Sequence, residues 1–320
     1  MKKILITGAM GQLGSELLTT MRGIYGPANV IGTDLRMPEK DSILLEGPFY
    51  PLDVLNDKEM AKIAGVEKVD TIIHLAALLS ATAEENPQLA WKINMGGLMN
   101  ALEVARTYDT QFFTPSSIGA FGSSTPKINT PQDTIQRPST IYGVSKVAGE
   151  LLCDYYFEKF NLDTRGVRFP GLIGYMTPPG GGTTDYAVDI YYSALQKGSF
   201  ESDIAEGTFM DMMYMPDAIK ATIDLMEADP SKLIHRNAFN ISAMSVDPEM
   251  IGEEIRKHIK DFKLTYKVNP IKQKIANNWP DTMDCHAAVD EWGFNPTYNL
   301  ESMTIDMLEK LRIKLNIKDR

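Results

Sequence analysis

The chain has 320 residues, with 32 Lys and Arg against 42 Asp and Glu, and therefore carries a net charge of −10 at pH 7. This length suffices for one medium-sized domain and a smaller lobe, and the acidic balance argues against a nucleic-acid or membrane-surface partner. The two cysteines form no CxxC pair and indicate neither a disulfide framework nor a metal site.

The chain begins with MKKILITG, in which the apolar run at 4–6 predicts a strand buried on both faces. Because this strand starts at once, no room is left for a signal peptide. No apolar stretch reaches membrane-spanning length. We therefore expect a cytoplasmic protein without a membrane partner.

Three glycines follow the first strand at three-residue intervals, and leucines at helical spacing come next. This order predicts a strand that turns sharply into a helix whose free N–H groups and positive dipole end face a diphosphate. Gly8 would supply the turn, Gly11 the close approach to the ligand, and Gly14 the tight packing of helix on strand. The residues predicted here to bind a dinucleotide are Gly8, Gly11, Gln12 and Leu13.

A second predicted strand, at 29–33, leads into Asp34, twenty residues beyond Gly14. A carboxylate at this position accepts hydrogen bonds from both ribose hydroxyls and repels a 2′-phosphate. Arg36 is the counter-argument, because a guanidinium there would attract that phosphate. The sequence thus favours NAD over NADP as cofactor.

Further predicted strands lie at 49–50, 71–75, 111–114 and 164–169, and predicted helices lie between them at 56–64, 87–108 and 141–160. This alternation predicts a parallel sheet with right-handed crossovers. After a proline- and glycine-rich stretch at 176–184 the pattern is less regular, with helices at 184–196, 216–226, 248–259 and 300–315 and a strand at 238–241. We therefore predict an α/β protein, with a doubly wound parallel (Rossmann) domain at 1–175 and a smaller C-terminal α+β substrate lobe at 176–320. Some lobe segments are expected to return to the first domain, and the glycines at 180–182 to form a mobile loop that closes on substrate.

Tyr142 and Lys146 stand four residues apart in a predicted helix and therefore share one helix face. A phenol has a reference pKa near 10, so its use as a base at neutral pH requires a nearby cation. We predict that Tyr142 takes the proton of a substrate alcohol and that Lys146 supplies the cation and holds the cofactor ribose. Ser117, at the end of a predicted strand, would donate a hydrogen bond to the same substrate oxygen. The alternative is an ordinary surface pair, against which the N-terminal glycines and Asp34 argue.

Together these motifs resemble the extended short-chain dehydrogenase/reductase superfamily, which includes nucleotide-sugar epimerases. The segments that carry the resemblance are TGAMGQLG at 7–14, HLAA at 74–77, SSIGAFG at 116–122, YGVSK at 142–146 and MMYMPDAIKA at 212–221. The resemblance implies that His74 is a packing residue rather than a catalyst. It also implies further cofactor contacts: Asp53 and Val54 at the adenine, Leu75, Ala76 and Ala77 along the cofactor, Asn94 on the helix behind the active site, and Pro170.

The segment at 168–195, RFPGLIGYMTPPGGGTTDYAVDIYYSAL, resembles more narrowly the L-threonine 3-dehydrogenases of the short-chain type. That resemblance implies oxidation of the threonine β-hydroxyl by NAD to 2-amino-3-oxobutyrate. It further implies a homodimer, joined by the helices at 87–108 and 141–160. These helices carry more apolar residues than one sheet face requires, namely Trp91, Ile93, Leu98, Leu102 and Val104.

The charge of the substrate lobe agrees with a small substrate. Between 169 and 219 the one cation is Lys197, whereas a diphosphate-sugar normally requires Arg or Lys. A zwitterion needs polar groups, with Arg168 as a candidate carboxylate partner. The residues predicted to bind substrate are Ser80, Ser117, Tyr142, Thr183, Thr184 and Trp279.

Alternatives remain open for several of these assignments. Thr183 and Thr184 also suit helix capping, and Trp279 also suits plain packing. The methionines at 210, 212, 213 and 215 are predicted to pack in a core strand rather than to form a binding surface. Alternative functions are a nucleotide-sugar epimerase or dehydratase, and a non-catalytic NAD-binding regulator.

Overall fold

The computed structural model describes residues 1–178, residue 180 and residues 182–317. The predicted loop at 180–182 thus includes Gly181, which lies outside the described residues. The described strands are β1 (Ile4–Thr7), β2 (Val30–Asp34), β3 (Phe49–Pro51), β4 (Thr71–His74), β5 (Gln111–Phe113), β6 (Ser116–Ser117), β7 (Thr164–Arg165), β8 (Val167–Phe169), β9 (Gly171–Ile173), β10 (Ser199–Ser202), β11 (Met210–Tyr214), β12 (Phe239–Asn240), β13 (Met244–Val246) and β14 (Lys263–Tyr266). The described α-helices are α1 (Gln12–Tyr25), α2 (Asp57–Glu67), α3 (Ser80–Glu85), α4 (Pro87–Trp91), α5 (Gly97–Tyr108), α6 (Ile141–Phe160), α7 (Tyr186–Lys197), α8 (Met215–Glu227), α9 (Pro248–His258), α10 (Pro270–Ala276), α11 (His286–Trp292) and α12 (Leu300–Lys314).

A six-stranded parallel sheet in the order β3-β2-β1-β4-β5-β7 forms the centre of the molecule. Side chains alternate across it: Leu5 packs in a core with residues of α2, α5 and α6, whereas Ile4 and Ile6 pack in a core with residues of α1 and α8. Burial on both faces explains the continuous apolar run of β1. The predicted doubly wound α/β fold is confirmed. Its strand order reverses between β1 and β4, where ligands bind in such sheets.

The C-terminal half builds a second core against the carboxyl edge of this sheet. Strands β9, β11 and β13 form one small sheet, and β10 pairs with β14. Residues from α7, α9 and α12 complete this core. Two later elements return to the first half, because α8 contributes residues to the core beside α1 and β12 pairs with β8.

The predicted strand at 164–169 is divided between two sheets. Its first part, β7, extends the central sheet, and its second part, β8, pairs with β6 and β12. The break falls at Gly166, where a Cβ atom would lie 2.6 Å from the carbonyl oxygen of Thr114. Close backbone approach at this glycine thus separates the two strands.

The predicted helix at 87–108 contains a π-helical turn. Helix α4 passes through Lys92–Gly96 in π geometry and continues as α5. The elements that sequence reasoning missed include α3, α10, α11, β9, β10, β13 and β14, most of them short. Strand β11 has no polar and apolar alternation because all five of its residues are buried. Met210, Met212 and Met213 lie in it without solvent exposure, which confirms their predicted core packing.

Within the described ranges, none of the helices combines the length and apolarity required to cross a bilayer.

Candidate active site

A cleft of about 400 Å³ lies beside the carboxyl ends of β1 and β4 and extends to the C-terminal half of the chain. Gly8 and Leu75, which closely follow these two strands, contribute to its wall. The sequence-predicted residues that line the cleft are Gly8, Gly11, Gln12, Leu13, Leu75, Ala77, Ser80, Ser117, Tyr142, Lys146, Pro170, Thr183, Thr184 and Trp279. The fold thus brings residues from both halves of the chain to one site.

The glycine turn between β1 and α1 is packed so closely that side chains at Gly8 and Gly14 would collide with neighbouring backbone. Gly8 has φ +71°, and a Cβ atom there would lie 2.8 Å from the amide nitrogen of Ala76. A Cβ atom on Gly14 would lie 2.2 Å from the carbonyl oxygen of Gly8. Gly11 is the N-cap of α1, and within the described chain no side chain caps this helix. The first N–H groups of α1 therefore face the cleft with the positive end of the helix dipole, as a diphosphate requires.

Asp34 lies at the end of β2, directly beside this turn. Its carboxylate accepts a hydrogen bond from the amide of Met10 at 3.1 Å, and Met10 lines the cleft. Arg36 is solvent-exposed on the outer side. A carboxylate tied to the glycine turn in this way suits the ribose hydroxyls of a dinucleotide whose diphosphate lies at α1.

Five predicted cofactor residues lie outside the cleft wall: Asp34, which bonds the lining residue Met10, and Asp53, Val54, Ala76 and Asn94. Asp53 accepts a hydrogen bond from the Leu55 amide at 2.9 Å. Asn94, in the π-helical turn, accepts from the Leu78 amide at 2.8 Å and donates to the Leu78 carbonyl at 3.1 Å. This amide side chain therefore holds the segment after β4 that forms one wall of the cleft. A π-helical turn at such a position is a frequent feature of functional sites.

Ser117, Tyr142 and Lys146 line one wall of the cleft together. Ser117 and Tyr142 meet across Gly119, since a Cβ atom on this glycine would lie 3.5 Å from Ser117 Oγ and 3.2 Å from Tyr142 Cε1. Lys146 Nζ stands 5.4 Å from the Tyr142 ring centroid and donates to the Pro115 carbonyl at 2.6 Å. Ser117 Oγ accepts from the Gly119 amide at 3.1 Å, so its own proton remains available for a donor bond into the cleft.

His74 lies behind this wall and does not contact the main cleft. Its Nδ1 is 2.9 Å from Thr7 Oγ1, and it shares a small second cavity with Asn94 and Lys146. Burial, with a smaller contribution from the Lys146 charge, lowers the pKa of His74 to about 3. A neutral, buried imidazole agrees with the packing role that the family resemblance implies.

The opposite side of the cleft carries the predicted substrate residues. Ser80 begins α3, and Trp279 lies in the loop after α10. Thr183 is 1% exposed, and its hydroxyl has no hydrogen-bond partner in the part of the chain that the structure describes. Helix α7 begins with Asp185 as N-cap, so the alternative capping role of the Thr183 hydroxyl is not observed. A buried hydroxyl at the cleft is suited to a polar ligand group, because leaving it unpaired is costly.

Asp185 is a lining residue that sequence reasoning did not select. Its carboxylate accepts a hydrogen bond from the Gly182 amide at 2.6 Å. The charged groups among the described lining residues are Lys146 and Asp185. The sequence feature that could have identified Asp185 is its position directly after the two threonines, at the start of a predicted helix.

Arg168 is not positioned to bind a substrate carboxylate, which corrects the sequence hypothesis. Its guanidinium is buried and donates to both carboxylate oxygens of Glu150, at 3.0 and 2.8 Å. It also donates to the Gln132 carbonyl at 2.7 Å and to Asn240 Oδ1 at 3.0 Å. The Arg168 side chain faces the interior from β8, and its guanidinium joins this strand to α6 and β12.

Comparison with known proteins agrees with this geometry. The model of the NAD dependent epimerase/dehydratase family matches residues 4–242. An uncharacterized epimerase/dehydratase of Staphylococcus saprophyticus is 61% identical over 314 residues, covering 98% of each chain. Among solved structures, L-threonine dehydrogenase from Clostridium difficile is 60% identical with a TM-score of 0.96, and covers 98% of each chain. A protein from a metagenome database, described as a monomeric L-threonine 3-dehydrogenase, is 41% identical with a TM-score of 0.93, covering 98% of this chain and 99% of that one.

The family implies NAD(H) as cofactor and oxidoreductase-type chemistry, and the glycine turn, the uncapped start of α1 and Asp34 fit that cofactor. The matched residues, 4–242, include every motif on which the resemblance to extended short-chain dehydrogenases was based. The match does not extend to the part of the substrate lobe after residue 242. This chain therefore belongs to the NAD-dependent epimerase/dehydratase family.

Proposed function

We propose that this protein is an NAD-dependent L-threonine 3-dehydrogenase, which oxidises the β-hydroxyl of L-threonine to a ketone and yields 2-amino-3-oxobutyrate. The observation that carries the proposal is the meeting of Ser117, Tyr142 and Lys146 in a cleft with few charged groups. The similarity to L-threonine dehydrogenases at up to 60% identity supports the choice of substrate.

In this proposal the residues of the glycine turn would hold NAD, which when bound would supply the hydride acceptor. The N–H groups at Gln12 and Leu13 bind its diphosphate, and Asp34 binds the adenosine ribose. Asp53, Val54, Ala76 and Asn94 then act from behind the wall rather than from the cleft surface.

Tyr142 is the proposed base for the threonine hydroxyl. Lys146 Nζ stands 5.4 Å from the ring centroid; in this role it would stabilise the phenolate by its charge and hold a ribose of the cofactor. The Ser117 hydroxyl donates to the substrate oxygen as it becomes a carbonyl oxygen. The proton leaves the substrate oxygen for Tyr142, and the hydrogen on the same carbon leaves as hydride.

The opposite wall favours a small zwitterion over a nucleotide-sugar. Thr183 offers a buried hydroxyl and Asp185 a carboxylate that suits an ammonium group. Ser80, Thr184 and Trp279 close the space around the side chain of the substrate. Recognition of a sugar diphosphate normally uses Arg, and arginine is absent from the described lining.

The direct test is NADH absorbance after purified protein is mixed with NAD and L-threonine. We expect NADH to form with L-threonine and NAD, and to form far more slowly with NADP because Asp34 repels the 2′-phosphate. A parallel assay measures the thermal shift caused by a UDP-sugar. Stabilisation by the UDP-sugar, with no NADH formed from threonine, would instead support the epimerase alternative.

We also propose a homodimer formed through α4, α5 and α6. Some of the apolar residues on which the dimer prediction was based do not reach the surface, because Leu98, Leu102 and Val104 are buried in the protein's own core. The exposed large apolar side chains on these helices are Leu89, Trp91, Met99, Tyr108, Val144, Leu151, Tyr155 and Phe160. Exposed apolar side chains on neighbouring helices suit a partner surface, and two copies would bury them in a four-helix contact.

Sedimentation velocity tests the dimer through Leu151, whose side chain is 62% exposed on α6. We expect Leu151→Glu to convert dimers to monomers, because two carboxylates would be buried in the interface. Ile234→Glu, at a residue that is 83% exposed outside these helices, is the matched control and should leave the dimer intact. A wild-type protein that sediments as a monomer at micromolar concentration would contradict the proposal.

A further inference from the structure

One lysine of the last helix contacts the segment that enters the far wall of the cleft. Lys314 Nζ, at the end of α12, donates to the carbonyls of Tyr175 and Met176 at 2.9 and 2.8 Å. It also donates to the Tyr192 hydroxyl at 2.8 Å, and this hydroxyl donates to the Tyr175 carbonyl at 2.8 Å. Two of the three donors of the ammonium are therefore used on adjacent backbone carbonyls and the third on the Tyr192 hydroxyl that bonds the same backbone.

The two residues after this point belong to the cleft wall. Thr177 and Pro178 line the cleft. Thr177 Oγ1 is 3.1 Å from Ser15 Oγ, and the Pro178 carbonyl accepts from Gln12 Nε2 at 3.3 Å. Both Gln12 and Ser15 lie in the first turn of α1, whose N-terminus faces the cleft. The segment at 175–178 is thus held from one side by the cofactor helix and from the other by Lys314.

A buried carboxyl lies beside Gly174, next to this segment. Glu16 of α1 is 6% exposed, and its Oε1 would lie 3.1 Å from a Cβ atom on Gly174. Burial raises the pKa of Glu16 to about 7, and the positive charge of Lys314 opposes this rise. Lys314 therefore acts here in two ways, through hydrogen bonds to the Tyr175 and Met176 carbonyls and through its charge on Glu16.

We infer that Lys314 is a positioning residue for substrate: by holding residues 175–178 against α1 it fixes the far wall of the cleft. The kinetic part of this inference rests on the proposed function, whereas the structural part does not. It is distinct from the chemistry of Tyr142, because Lys314 contacts backbone carbonyls outside the cleft lining.

The first test is hydrogen–deuterium exchange of the ligand-free protein, which requires no activity. Lys314→Met keeps the length of the side chain but removes all three donors. We expect peptides that cover 174–178 to exchange about three- to tenfold faster, since one or two modest hydrogen bonds are lost. Lys310→Met, one turn earlier on α12, also removes one positive charge and is the matched control. We expect exchange at 174–178 to be unchanged in this variant.

Tyr192→Phe provides a second route to the same segment, because it removes the hydroxyl that bonds both Lys314 and Tyr175. It should accelerate exchange at 174–178 in the same direction, and the double variant with Lys314→Met should add little to the larger single effect. If Lys314→Met does not fold, Tyr192→Phe alone decides the inference. Unchanged exchange at 174–178 in the folded variants would overturn it.

The second test separates positioning from catalysis. In a threonine-dependent assay we expect Lys314→Met to raise KM for L-threonine about three- to tenfold, with kcat and the Kd for NAD changed less than twofold. A loss in kcat of about three- to tenfold with an unchanged KM for L-threonine would overturn the positioning role. If no variant or wild-type protein oxidises threonine, the proposed function fails, while the exchange result still decides whether Lys314 holds the segment.

Discussion

Replacing Tyr142 with phenylalanine is expected to reduce NADH formation from L-threonine by about 10³-fold, within the range that a positioned acid or base contributes. The substitution removes one oxygen atom from a side chain of α6 whose ring is largely buried and lies beside Gly119. The ring packing and the fold are therefore preserved, and the loss falls on kcat. Steady-state kinetics at saturating NAD and threonine measure it.

Two comparisons make this result specific to the base. The Kd for NAD, measured by fluorescence or calorimetry, should remain within a few-fold of wild type, because the glycine turn and Asp34 are untouched. Ser117→Ala should cost less, about 10²-fold, since it removes one hydrogen-bond donor to the substrate oxygen and leaves the base in place. Near-normal turnover of Tyr142→Phe would exclude this residue as the base.

The cofactor half of the site was predictable because its physical requirement is local. Gly8, Gly11 and Gly14 are close in sequence, and the positions at which a Cβ atom would clash follow from one strand-turn-helix unit. The boundaries of α6 were predicted from the sequence alone, and so was the placement of Tyr142 and Lys146 on one face. These features depend on periodicity and turn chemistry, which a single sequence contains.

The substrate half depends on contacts between distant segments, and there sequence reasoning was less complete. Ser80, Thr183 and Thr184 were selected as polar groups for a small zwitterion and Trp279 as a side chain that could cover it, and their meeting in one cleft reflects the packing of the second core. Asp185 was not selected, because its neighbours across the cleft are distant in sequence. Arg168 was considered for the wrong role, since nothing in its local sequence shows that Glu150 approaches it.

That buried pair carries the second large prediction: Arg168→Met should lower the free energy of unfolding by about 3–5 kcal/mol. Glu150 and Arg168 are 5% and 6% exposed. Without the guanidinium, the hydrogen bonds that the Glu150 carboxylate keeps within the described residues come from Ser116 and Gln136, and it remains a poorly compensated charge in the interior. Urea denaturation monitored by circular dichroism measures the change.

A double-mutant cycle assigns the loss to the pair. Adding Glu150→Met to Arg168→Met removes the stranded charge, so we expect the double variant to recover part of the stability lost in the single variant. A substrate role for Arg168 leads to the opposite pattern, with KM for L-threonine raised and the urea midpoint unchanged. Because the guanidinium donates to α6, to the Gln132 carbonyl and to β12 at once, the stability loss is the outcome that the geometry supports. The same network holds Ser116, the residue before Ser117, and so connects the packing of the interior to the position of the proposed hydrogen-bond donor in the cleft.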